Sequence, residues 1–147
     1  MPKINRILLV EDNLNDIELT LAALQDCHLT GEVEVVNDGA EALDYIYQRG
    51  KYAAAARPGV IFLDLKMPKA DGLEVLRQIK SDSELRHIPI VMLTSSREEK
   101  DLVRSYDLGV NAFVVKPVDF THFVEAIHAL GRFWATINEP SPKILAA

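Results

Sequence analysis

Val60-Ile61-Phe62-Leu63-Asp64 is an unbroken apolar run that stops on a carboxylate. A strand buried on both faces reads this way, and such strands belong to parallel sheets covered on both sides. The pattern recurs along the chain. Ile7-Leu8-Leu9-Val10 stops at Glu11-Asp12, Ile88-Pro89-Ile90-Val91-Met92-Leu93 at Thr94, and Ala112-Phe113-Val114-Val115 at Lys116-Pro117. Val33-Glu34-Val35-Val36 is β-branched and half alternating. Helix-length stretches separate these runs, with apolar stripes at Ile17, Leu21 and Leu24, at Ala42, Leu43 and Ile46, and at Leu73, Leu76 and Ile79. A fourth stripe is Leu102, Val103 and Tyr106, and a fifth is Phe120, Phe123, Ile127, Leu130, Trp134 and Ile137. Spacings of three and four put each set on one helix face. Ser95 or Ser96 before Glu98-Glu99, and Asp119 before Phe120, supply helix starts. Alternating strands and helices predict an α/β fold: one parallel sheet of five strands, right-handed crossovers, and helices on both faces.

Length and composition narrow the function. With 147 residues the expectation is one domain over residues 1–138, including an extended last helix, then a flexible tail over 139–147 carrying Pro140 and Pro142. Residues 50–58, with four alanines inside, read as an inserted loop. Sixteen basic against twenty-two acidic residues give −6, so a broad basic face for nucleic acid is not expected. The apolar run after the N-terminus is too short for a signal peptide or a membrane span. Cys27 is the sole cysteine and cannot form an intramolecular disulfide, which allows a reducing compartment. The expected location is the cytoplasm.

In an open α/β sheet the ligand site lies beyond the carboxyl ends of the strands. Here those ends carry Glu11-Asp12, Asp64, Thr94 and Lys116. Each has a bland reading alone, Asp12 as a helix cap for instance, but core-filling strands have no structural need for the set. Glu11, Asp12 and Asp64 are hard carboxylates without a nearby His or Cys, which suits Mg²⁺. Lys116 supplies a compact positive charge beside the metal, and Thr94 a hydroxyl. An aspartate so placed is equipped to attack a phosphoryl group.

The chain resembles the receiver domains of two-component response regulators. The residues carrying the resemblance are Leu9-Val10-Glu11-Asp12-Asn13, Phe62-Leu63-Asp64-Leu65-Lys66-Met67-Pro68, Asp71-Gly72, Leu93-Thr94-Ser95 and Lys116-Pro117, within a span from about Ile7 to Leu130. The resemblance implies a flavodoxin-like (βα)5 fold with strand order 2-1-3-4-5. It implies that Asp64 accepts a phosphoryl group from a sensor histidine kinase. Asp12, Asp64 and the backbone carbonyl of Lys66 would ligate Mg²⁺, with Glu11 acting through water. Thr94 and Lys116 would engage the phosphoryl oxygens. Phe113 falls at the family's aromatic switch position, here without the commoner tyrosine hydroxyl. Residues 50–58 and the ending Gly131-Arg132-Phe133-Trp134 are similar to single-domain regulators that partner bacterial phytochromes, often homodimers. Phe133 and Trp134 overhang the length needed to cover the sheet, and with Tyr106 and Phe113 they form the expected dimer face.

Other readings have less support. No pair among His28, His87, His122 and His128 has zinc-site spacing. The stretch from Asp12 to Asp16 resembles a calcium loop faintly, but Leu14 occupies a ligand position. No glycine-rich phosphate loop follows Val10, so no nucleotide or other small-molecule substrate beyond a phosphodonor is expected. An aspartyl-phosphate phosphatase would carry an acid two residues after the nucleophile, where this chain has Lys66. The remaining alternative is a pseudo-receiver that binds partners without phosphorylation.

Overall fold

The computed structural model describes residues 6–29, 32–67, 69 and 71–145. Residues 1–5, Pro68 of the quoted motif and the last two residues of the tail lie outside the described residues. The strands are β1 (Ile7–Val10), β2 (Val33–Val36), β3 (Val60–Leu63), β4 (Ile90–Thr94) and β5 (Ala112–Val115). They pair in parallel in the order β2-β1-β3-β4-β5. The helices are α1 (Leu14–Asp26), α2 (Gly39–Ile46), α3 (Gly72–Ser81), α4 (Glu99–Asp107) and α5 (Phe120–Arg132), with a short α6 (Pro142–Leu145) in the tail.

Strand side chains alternate between two cores, because successive residues point to opposite sheet faces. Leu8, Val10, Ile61, Leu63, Ile90 and Met92 pack with α2 and α3. Ile7, Leu9, Val60, Phe62, Val91 and Leu93 pack with α1 and α5. That double covering explains why β1, β3 and β4, buried along their whole length, carry no polar alternation. Among the described residues no helix is long and apolar enough to cross a membrane.

Three details of the sequence reading are corrected. In α1 the buried set is Ile17, Thr20, Ala23 and Leu24, and Leu21 is only half-buried. In α4 the apolar stripe faces outward: Leu102, Val103 and Tyr106 are exposed while Asp101 and Ser105 are buried. A stripe shows which helix face is apolar, not that a core covers it. Neither Ser95 nor Ser96 is the N-cap of α4, which begins after Glu98; the Ser96 hydroxyl instead donates to Asp101 at 2.6 Å.

The last helix continues as a π turn over Phe133–Ile137. Its wider turn displaces the stripe, so Ala135 is buried, Trp134 half-buried and Ile137 exposed. Phe120 at the other end is exposed as well. The inserted loop contains a 3-10 turn, Gly50–Tyr52. It is pinned by Tyr45 Oη donating to Ala56 O at 3.1 Å and Gln48 Nε2 donating to Ala55 O at 2.7 Å.

Candidate functional site

The sheet register assembles the site. Val10 lies opposite Leu63, so the next residues, Glu11 and Asp64, leave adjacent strands together. The Asp64 N–H donates to Val10 O at 3.1 Å, and the Glu11 N–H to Val36 O at 3.1 Å. On the other flank Thr94 lies opposite Val115, and the Lys116 N–H donates to Thr94 O at 2.7 Å. Ligand oxygens of Glu11, Asp12 and Asp64 fall within 4.8 Å of one another. Asp12 is free for this purpose because Asn13 caps α1, accepting from the Asp16 N–H at 3.0 Å.

Lys116 reaches back across the strand ends into this cluster. Its side chain is 8% exposed. The ammonium donates to Glu11 Oε1 and, at 2.8 Å, to Asp16 Oδ2; it lies 3.7 Å from Asp64 Oδ2. Glu11 Oε2 accepts from the Asp12 and Asn13 N–H groups, both at 3.2 Å. Burial pushes the Glu11 carboxyl up, opposed by the Lys116 hydrogen bond and helped by the charge of Asp64. Burial alone would lower Lys116, but its bonds to Asp16 and Glu11 and the charges of Asp64 and Glu11 outweigh it and hold the ammonium above its ordinary range. Three carboxylates thus face one ammonium and Asp12 adds a fourth to the cluster; a hard divalent cation is the natural means of offsetting the excess.

Asp16 was not singled out as a partner of Lys116 from sequence. The available signal was its place: a helix starting at Leu14 puts residue 16 in the first turn, directly after the acidic strand end.

The other expected residues are placed as follows. Thr94 is buried, and its hydroxyl accepts from the Ser96 N–H at 3.3 Å. The Lys66 side chain is exposed with its ammonium 4.0 Å from Glu98, so only its backbone carbonyl is a candidate ligand. Phe113 is partly buried against the α2–α3 core, whereas Trp134 packs on the α1–α5 core. Tyr106 and Phe133 are exposed, and Phe133 meets Trp134 edge-on at 5.0 Å. The four aromatics therefore divide between the two sheet faces, and one surface holding all of them must wrap around the β5 edge.

Gly72 fixes the loop that carries Asp64. Its N–H donates to Leu65 O at 2.7 Å. A Cβ added there would lie 2.3 Å from Asp64 O and 2.8 Å from Leu65 Cα, both backbone atoms. Gly72→Ala is expected to cost roughly 1–3 kcal/mol, the usual range for overpacking. Urea unfolding checks this, and an unchanged midpoint would show that the loop yields freely.

A twisted parallel sheet with this acid cluster, hydroxyl and lysine at its carboxyl edge is the architecture of a phosphoacceptor domain. The chain belongs to the response regulator receiver domain family, which matches residues 7–128. Members of this family accept a phosphoryl group on an aspartate. Response regulator Rcp1 of Synechocystis sp. is 38% identical over 141 residues, covering 95% of each chain. A manganese-bound crystal structure of Rcp1 superposes with a TM-score of 0.86 at 35% identity, covering 92% of this chain and 98% of that one. The phosphorylated cyanobacterial phytochrome response regulator RcpA gives a TM-score of 0.89 at 42% identity, covering 94% and 99%. The bacteriophytochrome response regulator AtBRR is 61% identical, with a TM-score of 0.72 and coverage of 94% and 100%.

Proposed function

We propose that this chain is a phosphorylation-controlled switch in which Asp64 accepts the phosphoryl group from a phosphohistidine of a phytochrome-type sensor kinase. The observation that carries the reading is the Lys116 ammonium 3.7 Å from Asp64 inside a cluster of three carboxylates fit for a cation. An Asp64 carboxylate oxygen attacks phosphorus, a new O–P bond forms, the N–P bond breaks, and its electron pair returns to the imidazole nitrogen. Lys116 and the Thr94 hydroxyl stabilise charge on the transferring oxygens. Asp12, Asp64 and the Lys66 carbonyl would hold Mg²⁺, with Glu11 in support, and the ion would supply charge neutralisation at the acceptor. These groups all come from the receiver domain, residues 1–138, so the chain promotes its own phosphorylation and dephosphorylation, with residues 139–147 as a tail.

Exposed apolar side chains support docking around the acceptor. Leu14 opens α1 two residues after Asp12, and Val118 and Phe120 follow Lys116; these three are 73%, 95% and 62% exposed. They frame a polar site with an apolar rim suited to a kinase helix pair. Kinship with the phytochrome regulators RcpA and AtBRR supports the class of kinase and, with it, a cytoplasmic setting.

The outward stripe of α4 and the exposed Phe133 support a homodimer through Tyr106, Phe113, Phe133 and Trp134. Movement of the Phe113 ring on phosphorylation would couple that surface to Asp64. The test is phosphotransfer from a purified, autophosphorylated phytochrome-type kinase, followed by light scattering of the product. Transfer to this chain and a dimeric mass are expected. A kinase that keeps its label overturns the kinase assignment, and a monomer at micromolar concentration, with and without phosphoryl group, overturns the dimer.

A further inference from the structure

In the resting protein the Lys116 ammonium does not hydrogen-bond the acceptor. Among the described residues its hydrogen-bond partners are Glu11 Oε1 and Asp16 Oδ2, while Asp64 Oδ2 stands at 3.7 Å, beyond hydrogen-bond reach. An ammonium has three donors. Two of them are engaged, and with Asp64 Oδ2 at 3.7 Å the ammonium has to shift toward the acceptor to serve new phosphoryl oxygens there, which lengthens its bond to a present partner.

The two partners are not equivalent. Glu11 is 3% exposed, and releasing its ammonium would leave a buried carboxylate uncompensated. Asp16 is 25% exposed and can turn to water when released. It is also fixed where it can recapture the ammonium. Its own N–H donates to Asn13 Oδ1 at 3.0 Å, and the Ile17 N–H donates to Asn13 O at 3.0 Å, which closes the first turn of α1 beneath it.

We propose that Asp16 is a positioning residue for phosphoryl acceptance: it holds Lys116 in the resting state and competes with the phosphoryl group for that ammonium. The inference rests on the reading that Lys116 pairs with a phosphoryl group on Asp64. Asp16 acts only through Lys116 and touches no reacting atom. It weakens the phosphorylated state by the part of one charge-assisted hydrogen bond that this shift of the ammonium weakens. A residue outside the cation cluster thereby sets how readily the switch is held on.

The test titrates beryllofluoride, a phosphoryl mimic, into the full chain at saturating Mg²⁺, followed by amide NMR shifts. Asp16→Asn keeps the side-chain shape and removes the charge. It is expected to tighten beryllofluoride binding about tenfold, the scale of a hydrogen bond to a charged group. Asp16→Glu retains the seat and should stay within about twofold of wild type, since only the carboxylate's reach changes. In a Lys116→Ala background the Asp16→Asn gain should shrink to the about twofold effect of removing one nearby negative charge.

Equal gains in the two backgrounds, or no gain in the wild-type background, overturn the proposal. An acid that served only the α1 dipole would move the melting temperature and leave these ratios unchanged. The ¹⁵N resonance of the Lys116 ammonium gives a second readout that needs no mimic. It is expected to shift in Asp16→Asn, and an unmoved resonance overturns the seat. A wild-type chain that binds no beryllofluoride at all would instead overturn the phosphoacceptor reading itself.

Discussion

Asp64→Asn is expected to abolish labelling of the chain by acetyl phosphate and Mg²⁺. The argument is chemical before it is structural. An amide oxygen carries no negative charge and cannot be phosphorylated to a stable acyl phosphate. A loss of at least about 10³ in labelling rate, some 4 kcal/mol of barrier, is the minimum consistent with removal of the nucleophile. The fold should survive the change. Asp64 is one of three crowded carboxylates, and its charge helps push Glu11 up, so neutralising it relieves repulsion. The variant's unfolding midpoint in chelator should equal or exceed that of wild type. Phosphate-affinity electrophoresis and urea unfolding together separate the two effects. Persistent labelling would move the acceptor to another acid, Asp12 first, and a large loss of stability would make the missing label uninformative about chemistry.

Much of this was legible in sequence because both cores are built from strands buried on two faces. Such strands show as plain apolar runs, and their ends announce themselves where the runs stop at Glu11, Asp64, Thr94 and Lys116. Once the parallel register is imposed, those ends must converge. Other features depend on facts that no single segment encodes. The α4 stripe of Leu102, Val103 and Tyr106 has the spacing of a core face, yet Asp101 and Ser105 take the inward position. Asp101 is tolerated there because the Ser96 hydroxyl satisfies it at 2.6 Å. The π turn at Phe133–Ile137 displaces a pattern that reads as one continuous helix. Asp16 escaped notice because its partner is a hundred residues away in sequence, at Lys116.

Lys116→Ala is expected to produce a protein that is unstable without a divalent cation and largely rescued by one. The side chains involved are almost completely enclosed, Lys116 at 8% and Glu11 at 3% exposure. Removing the ammonium leaves Glu11 Oε1 without its donor and strips Asp16 of its 2.8 Å partner. Breaking one side of a buried ion pair costs about 3–5 kcal/mol, because a charge remains without compensation. Exposure of Asp16 and of Asp12 to water brings the expectation to the lower end of that range. Protonation of Glu11 limits the loss further. Its folded pKa is raised, so its protonated form is favoured in the folded state; the associated stability is present at low pH and is lost as pH rises through that value. The deficit of the variant should therefore shrink on acidification from neutral pH. Mg²⁺ acts from the opposite direction. In wild type it shares the carboxylates with Lys116; in the variant that competitor is gone, so Mg²⁺ should bind more tightly. At a hundredfold excess over its dissociation constant it restores about 2.7 kcal/mol through linkage. Phosphoryl acceptance should remain impaired even with Mg²⁺ saturating, since the ion then acts without the Lys116 ammonium that shares the charge of the transferring group. Urea unfolding in chelator and in Mg²⁺, with calorimetric Mg²⁺ titration, measures each part. Weaker Mg²⁺ binding in the variant, or equal stability in chelator, would mean that Lys116 does not offset this cluster.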